Sequence, residues 1–308
     1  MILFKKEGNS LKEIQEMKFS LERDLQGLTE GNLGKVFNLE FVCSEFSLNN
    51  LRIDTLAFDR ETKSFVIIEY KRDKHSQVID QGFAYLALMV NNKAEFILQY
   101  IEKMKENLRR EDVDWQQSRV IFVSHSFTTH QRKAIEFKDL PIELWEARRF
   151  GKDLILFSEI KPSNARESIR TITKDKVINS VSSQVKKYTV EDHFKDGWEK
   201  SLEIYQSLKD RILAMDERIE ESPKKIYIGF KIGNKVVCGV HVQKSKIVLW
   251  LGKTEPKDLK DPEKRVTYRK KSYEHYNQHI SDFYLENEDD IDYAMFLIRQ
   301  VYEKFFKK

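Results

Sequence analysis

Residues 52–59, RIDTLAFD, and 64–71, SFVIIEYK, are two strand-like runs separated only by the polar residues RETK. Their β-branched and aromatic content around so short a break predicts an antiparallel hairpin. The second run reads as the inside of a sheet until it ends in Glu69 and Lys71. A strand alternates its faces with period two, so these two charges project to one side and Tyr70 to the other. Buried ions without partners cost roughly several kcal/mol. The pair therefore either neutralises itself or lines a cleft that holds water, metal or substrate.

The surrounding pattern places this hairpin in an α/β domain over residues 1–160, a mixed sheet flanked by helices. Residues 9–37 carry helical periodicity through Leu11, Ile14, Phe19, Leu21, Leu25, Leu28, Leu33 and Phe37, broken near EGNLG, and predict two short helices. LEFVCSEFSL predicts a strand before the hairpin. Residues 76–107 predict helix, with FAYLALMV as the buried face, followed by the strand RVIFVS, the short helix TTHQRKAI and the strands IELWEA and DLILFSE. Residues 161–193, rich in Ser, Thr and Lys without a sustained apolar period, predict a linker.

Residues 194–308 predict a smaller α+β domain. An amphipathic helix over 194–220 leads into three strands within KKIYIGFKIGNKVVCGVHVQKSKIVLWLG, the first two joined through a Gly-Asn tight-turn signal. A basic, tyrosine-bearing loop over 261–280, the strand SDFYLE and a closing helix over 288–306 complete it. Two domains suit a length of 308 residues, because single cores rarely grow past roughly 250 to 300.

Charge by itself does not announce nucleic acid. Lys plus Arg against Asp plus Glu is 24 to 26 over residues 1–160 and 8 to 4 over 161–195, which leaves no strongly basic region. The two cysteines, Cys43 and Cys238, lie outside any C-x-x-C spacing and support neither a disulfide framework nor a thiolate zinc site. A cytoplasmic chain is expected. The start MILFKKEGNS lacks an apolar signal core, and no window approaches 18 uninterrupted apolar residues, so neither secretion nor membrane association is expected.

Glu-x-Lys is a weak signal, since it begins at Glu16, Glu61, Glu69, Glu136, Glu159 and Glu255 alike. Context selects Glu69. It alone ends an apolar strand that follows a strand bearing an aspartate, Asp54. Neighbouring antiparallel strands lie about 5 Å apart, so the hairpin can set the two carboxylates side by side, where they repel. A hard divalent cation removes that repulsion, and Mg²⁺ favours one or two carboxylates plus waters and phosphate oxygens. Lys71, on the same face, is placed to orient or deprotonate an attacking water and to offset developing charge. Gln81 and Tyr85, at i and i+4, share a face of the following helix, where an amide and a phenol aimed at the strand ends can position a phosphate.

Taken together, RIDTLAFD, VIIEYKR and QGFAY resemble the PD-(D/E)XK nucleases, specifically the NucS-like and RecB-like endonucleases with a Gln-x-x-x-Tyr signature. The resemblance covers roughly residues 15–160. It departs at Ile53, where the motif's name has proline. LERDLQGLTEGNL resembles the first helix of that branch, which implies a catalytic glutamate at Glu22, with Glu30 as the competing position. The resemblance implies a restriction-endonuclease-like fold and a Mg²⁺-dependent endonuclease acting on DNA, with Mn²⁺ able to substitute. Asp54 and Glu69 would hold the metal, Lys71 would position the water, and Gln81 and Tyr85 would assist. It also implies a homodimer if duplexes are cut, and a setting in genome maintenance or defence. The C-terminal unit resembles a small domain of uncharacterised function often found behind such nucleases.

Blander readings stand beside each of these. Asp54, Glu69 and Lys71 would otherwise be a buried salt bridge. His125 and His130 read as surface or capping residues, and Trp115 and Trp145 as packing residues. The basic groups Lys71, Arg72 and Lys74, then Lys103, Lys105, Arg109 and Arg110, then Arg148, Arg149 and Lys152 are either phosphate contacts or solvated faces. RVTYRKKSYEHYNQH mixes cations with aromatics in a way that suits single strands or flipped bases. Two alternatives to a DNA nuclease are a non-catalytic nucleic-acid or protein-binding module and an RNA nuclease.

Overall fold

A Gly-Asn turn, with Gly8 at a φ of +64°, opens the chain as a hairpin of β1 (Leu3–Glu7) and β2 (Ser10–Ile14), where sequence periodicity predicted helix. Leu11 and Ile14 belong to this two-residue-loop hairpin and not to the helix that follows, so their apparent period joined two unlike elements. The computed structural model describes residues 2–19, 21–71, 77–162, 167–172, 174–276 and 278–307. The chain divides into two units, Met1–Lys187 and Tyr188–Lys308.

The first unit continues through β3 (Glu16–Met17), α1 (Glu22–Glu30), α2 (Leu33–Val36), β4 (Glu40–Leu48), β5 (Leu51–Asp59), β6 (Ser64–Lys71), α3 (Val78–Asn91) and α4 (Lys93–Met104). It ends with β7 (Arg119–Ser124), α5 (Thr129–Ala134), β8 (Ile142–Phe150), β9 (Leu154–Ile160), α6 (Ile169–Ile172) and α7 (Lys176–Ser182). These make an α/β fold around a mixed sheet of order β3-β8-β7-β6-β5-β4, with β9 pairing on β8. β6, β7 and β8 run parallel, while β4 and β5 run antiparallel beside them.

Local chemistry explains the hairpins. Asn49 and Asn50, both at positive φ, make the two-residue loop between β4 and β5. Asp59 Oδ1 accepts the N–H groups of Glu61 and Thr62 and closes the turn into β6. β6 lies between β5 and β7 with both faces covered, and so its apolar run is nearly unbroken. One face, through Phe65 and Ile67, packs with α3 and α4. The other, through Val66, Ile68 and Tyr70, packs with Leu25 of α1 and Leu33 of α2.

Gly82 brings α3 down onto the sheet. A Cβ there would lie 2.5 Å from Ile142 Cδ1 and 3.5 Å from a Phe122 ring carbon, so only a residue without a side chain allows this approach. The glycine of QGFAY thus sets the height of Gln81 and Tyr85 above the strands.

Of residues 161–193, expected as a linker, those up to Lys187 belong to the first unit and Tyr188 onward to the second. Ile169, Val181 and Val185 are buried in the first unit's core, and α7 packs on α3. Their apolar positions are too widely spaced among Ser and Lys to show a period in the sequence. Trp115 stacks on Phe65 at 5.4 Å, and Trp145 meets Phe37 edge-on at 5.0 Å, both as packing residues.

The second unit is α+β. It contains α8 (Glu199–Leu213), β10 (Ile219–Pro223), β11 (Ile228–Ile232), β12 (Lys235–Val242), β13 (Ile247–Gly252), β14 (Thr267–Tyr268), α9 (Ser272–Tyr276), β15 (Ile280–Leu285) and α10 (Asp290–Phe305). Its antiparallel sheet has the order β10-β11-β12-β13-β15-β14. Residues 194–220, expected as one helix, comprise the shorter α8 and the start of the unforeseen strand β10. α8 and α10 bury Ile204, Tyr205, Leu208, Met295 and Ile298 against one face of the sheet. No helix among the described residues is long and apolar enough to cross a membrane.

Candidate active site

The β5–β6 ladder stops at Thr55 opposite Ile68, although β5 extends back to Leu51 and β6 on to Lys71. Beyond that point side chains replace the backbone ladder. The Asp54 N–H donates to Glu69 Oε1 at 3.0 Å, and the Tyr70 N–H donates to Asp54 Oδ2 at 3.0 Å. The two carboxylates therefore meet at a fork between the strands, on the face that α3 covers. On its other edge β6 stays paired with β7 as far as Lys71 opposite Ser124.

The second oxygen of each carboxylate is less tightly held. Asp54 Oδ1 accepts no hydrogen bond among the described residues. Glu69 Oε2 is approached by Lys71 Nζ at 3.5 Å and Gln81 Nε2 at 3.3 Å. Both contacts are longer than the roughly 2.7–2.9 Å of a tight charge-assisted bond, which argues against a salt bridge shaped for stability. Tyr85 completes the cluster: its hydroxyl donates to the Arg52 carbonyl at 3.0 Å and accepts from Gln81 Nε2 at 3.2 Å.

The electrostatics agree with the geometry. Burial, then the Asp54 charge, pushes the Glu69 carboxyl up to about 7. Burial also raises the Asp54 carboxyl, against the Tyr70 N–H and the positive Lys71 and Arg52, while Glu30 adds to the rise. Burial and the Glu69 charge move the Tyr85 phenol well above its ordinary range, so it stays a hydrogen-bond donor. Arg52 is itself paired with Glu45. Lys71, whose side chain is 19% exposed, thus faces an excess of negative charge.

Of the sequence-predicted residues, the structure brings Asp54, Glu69, Lys71, Gln81 and Tyr85 together. Glu22 it does not. That residue sits exposed at the N-terminal end of α1, eight positions and so about 12 Å from the helix end nearest the fork. The competing Glu30 occupies that end: it accepts from Thr55 Oγ1 at 2.6 Å and Ser44 Oγ at 2.8 Å. Gln26, unremarked in the sequence, donates to Glu30 at 3.0 Å and to the Asp54 carbonyl at 3.1 Å. Its i,i+4 spacing to Glu30, beside the buried Leu25 and Thr29, was the available signal. Arg72 and Lys74 lie outside the described residues. Arg109 and Arg148, from the other basic groups, are paired with Asp112 and Glu146.

Among the described residues no three His, Cys, Asp or Glu side chains gather as a metal cluster. The fork offers two carboxylates, and their less tightly held oxygens are of the hard type that suits Mg²⁺, an ion that keeps several waters. Asp54 and Glu69 therefore fit such a cation.

Gln81→Ala removes the contact between α3 and Glu69 Oε2 without altering the core. The expected result is an unchanged melting temperature, read from a thermal melt. Tyr85→Phe, which leaves the Arg52 carbonyl without its donor, is expected to cost about 1 kcal/mol of stability.

Residues 190–304 match a family model described as a domain of unknown function, DUF5655. Two solved structures resemble part of the chain. One is a crystal structure of a repair endonuclease from Pyrococcus abyssi, with 19% identity and a TM-score of 0.23 over 40% of this chain and 45% of that one. The other is an EndoMS–dsDNA complex, with 14% identity and a TM-score of 0.24 over 44% of this chain and 60% of that one. The chain thus spans less than two thirds of either structure. An uncharacterized protein of Haemophilus influenzae is 40% identical over 301 residues, which covers 97% of this chain and 99% of the relative. At that identity and coverage, the chain belongs to the family of the Haemophilus influenzae protein.

Proposed function

We propose that the first unit is a divalent-metal-dependent nuclease that hydrolyses phosphodiester bonds in DNA. The observation that carries this reading is the fork itself. A buried carboxylate, Glu69, and a half-buried one, Asp54, both with raised pKa values, meet there; Asp54 Oδ1 accepts no hydrogen bond among the described residues, and Glu69 Oε2 takes long contacts from Gln81 and a loosely held Lys71. A protein that used these groups for stability alone would gain by neutralising one of them.

Asp54 and Glu69 would hold Mg²⁺, which when bound polarises a phosphoryl oxygen and acidifies a water. Lys71 lies on the same strand face and supplies a positive charge where the attacked phosphate gains negative charge. Water adds to phosphorus, a P–O ester bond breaks, and the leaving oxygen takes up a proton. Gln81, fixed between Glu69 and the Tyr85 hydroxyl, keeps the Glu69 carboxylate turned toward the fork. Glu30, with Gln26 behind it, adds a third negative charge beside Asp54. Tyr85 and Gln26 are positioning residues in this account.

The test is cleavage of single-stranded, duplex and forked DNA and of RNA, with Mg²⁺, Mn²⁺ or EDTA. Cutting of at least one DNA form with either metal, stopped by EDTA, is expected. No cleavage of any form, together with DNA affinity that ignores the metal, would instead favour a binding module, and cutting of RNA alone would reassign the substrate.

A further inference from the structure

The outer face of the second unit's sheet is not covered by α8 or α10. On it Gly229 lies across from Gly239 and Gly239 across from Trp250. The glycines leave room for the Tyr227 ring, which a Cβ on Gly239 would strike at 2.9 Å, and Tyr227 reaches Trp250 at 5.0 Å. The next strand places Asp282 opposite Trp250. Arg269 completes the row, with its guanidinium 4.1 Å from the Trp250 ring and its Nε bonded to Asp282 at 3.0 Å.

Two features of this face are unspent. The Trp250 Nε1–H is buried and has no partner among the described residues, although the side chain is only 5% exposed. The terminal nitrogens of Arg269 likewise have no partner there, while the Nε–Asp282 bond and the Trp250 ring hold its plane fixed. A guanidinium so held presents the fork that binds a phosphate.

At the edge of the sheet, where Tyr268 pairs with Ser281 and so turns to the opposite side from Arg269, stands a row of open rings. His279 contacts Tyr273 at 5.2 Å and Tyr268 at 5.9 Å. Tyr273 is 56% exposed and Tyr268 39%. Tyr268 is anchored from beneath: its hydroxyl meets His279 Nδ1 at 2.9 Å and accepts from Ser272 Oγ at 3.2 Å, and Ser272 Oγ in turn accepts the Ile280 N–H. Tyr268 and His279 are thus fixed together, and Tyr273 stands against His279. Lys270 and Lys271 adjoin Arg269, and neither has an ion-pair partner among the described residues. The acids nearby are Asp282, already bonded to Arg269, Glu255, which is paired with Lys257 and lies 4.0 Å from His279 Nε2, Asp258, and Glu274 on α9.

We propose that this edge of the sheet binds single-stranded DNA, with bases stacking on Tyr273, His279 and Tyr268 and the backbone lying along Lys270 and Lys271 and turning the edge toward Arg269. Rings interleaved with cations favour a strand whose bases are free over a duplex that hides them. The choice of DNA rests on the nuclease reading of the first unit, but the binding itself requires no cleavage.

The test is fluorescence anisotropy of the full chain with a labelled oligothymidylate of about fifteen nucleotides, in EDTA. The double variant Tyr273→Ala, His279→Ala is expected to weaken binding about 10-fold or more. Its affinity for a duplex of equal length should change less than about threefold, and Tyr273→Phe should bind as the wild type does. Lys270→Glu with Lys271→Glu should lower the slope of affinity against salt by about 1 to 2. A loss below about fivefold in the ring variant, an equal loss for duplex, or a preference for oligouridylate each overturns the proposal. Asp54→Ala is the control: it should stop cleavage and keep the oligothymidylate affinity, and if that affinity disappears with Asp54 the site is not in the second unit. Absence of cleavage by the wild type, with this binding intact, would count against the first unit's reading alone.

Discussion

Alanine at Asp54 or at Glu69 is expected to lower divalent-dependent DNA cleavage by about 10³-fold or more, with the fold retained. Each substitution removes half of the carboxylate pair that would hold the ion. Lys71→Ala is expected to cost about 10²–10³-fold in turnover, because its charge matters most where the phosphate becomes more negative. The measurement is single-turnover cleavage under saturating Mg²⁺, with circular dichroism to verify folding. Robust cleavage by Lys71→Ala would remove that residue from its assigned role. Glu22→Ala should leave turnover within about twofold of wild type, whereas Glu30→Ala should lower it, since only Glu30 stands beside Asp54.

The second large effect concerns stability. Asp54→Asn should raise the stability of the metal-free protein by about 1–3 kcal/mol at pH 8, because burial and mutual repulsion both penalise the charged pair. The pH dependence has a definite sign. Glu69 titrates near 7 in the folded chain against an ordinary 4.5, so the fold favours its protonated form. Its contribution is fully present below about pH 4.5 and is lost as pH rises through about 7. A bound divalent cation reverses the balance, since it needs the carboxylate. Thermal melts from pH 5 to 8, with and without Mn²⁺, should show metal stabilising the wild type most at the high end and Asp54→Asn hardly at all. A metal-free protein destabilised by Asp54→Asn would contradict the account of the fork.

Much of this site was legible because hairpin geometry is short-range. Once RIDTLAFD and SFVIIEYK are strands joined by a tight turn, Asp54 and Glu69 must come near each other, and the period of two puts Lys71 on the same side. The helix face of Gln81 and Tyr85 followed from i,i+4 spacing in the same way. What remained hidden depends on tertiary approach. Nothing in LERDLQGLTEGNL says which end of α1 abuts the fork, and Glu22 and Glu30 differ only in that. The role of Gly82 appears only when Ile142, sixty residues later, is seen against it. The residues expected as a linker contribute Val181 and Val185 to the core because a few apolar side chains suffice where α3 already offers a surface. The N-terminal hairpin is hidden for a simpler reason, since Leu11 and Ile14 of its second strand fall in step with the helical period of residues 9–37.

The central claim is that Asp54 and Glu69 together hold one divalent cation, and titration calorimetry with Mn²⁺ at pH 8 measures this directly. The wild type should bind one ion, with affinity falling about 10-fold per pH unit below 7, and Asp54→Asn and Glu69→Ala should each lose most of that affinity. Equal affinity in the wild type and both variants, or no binding by the wild type at millimolar Mn²⁺, would contradict it.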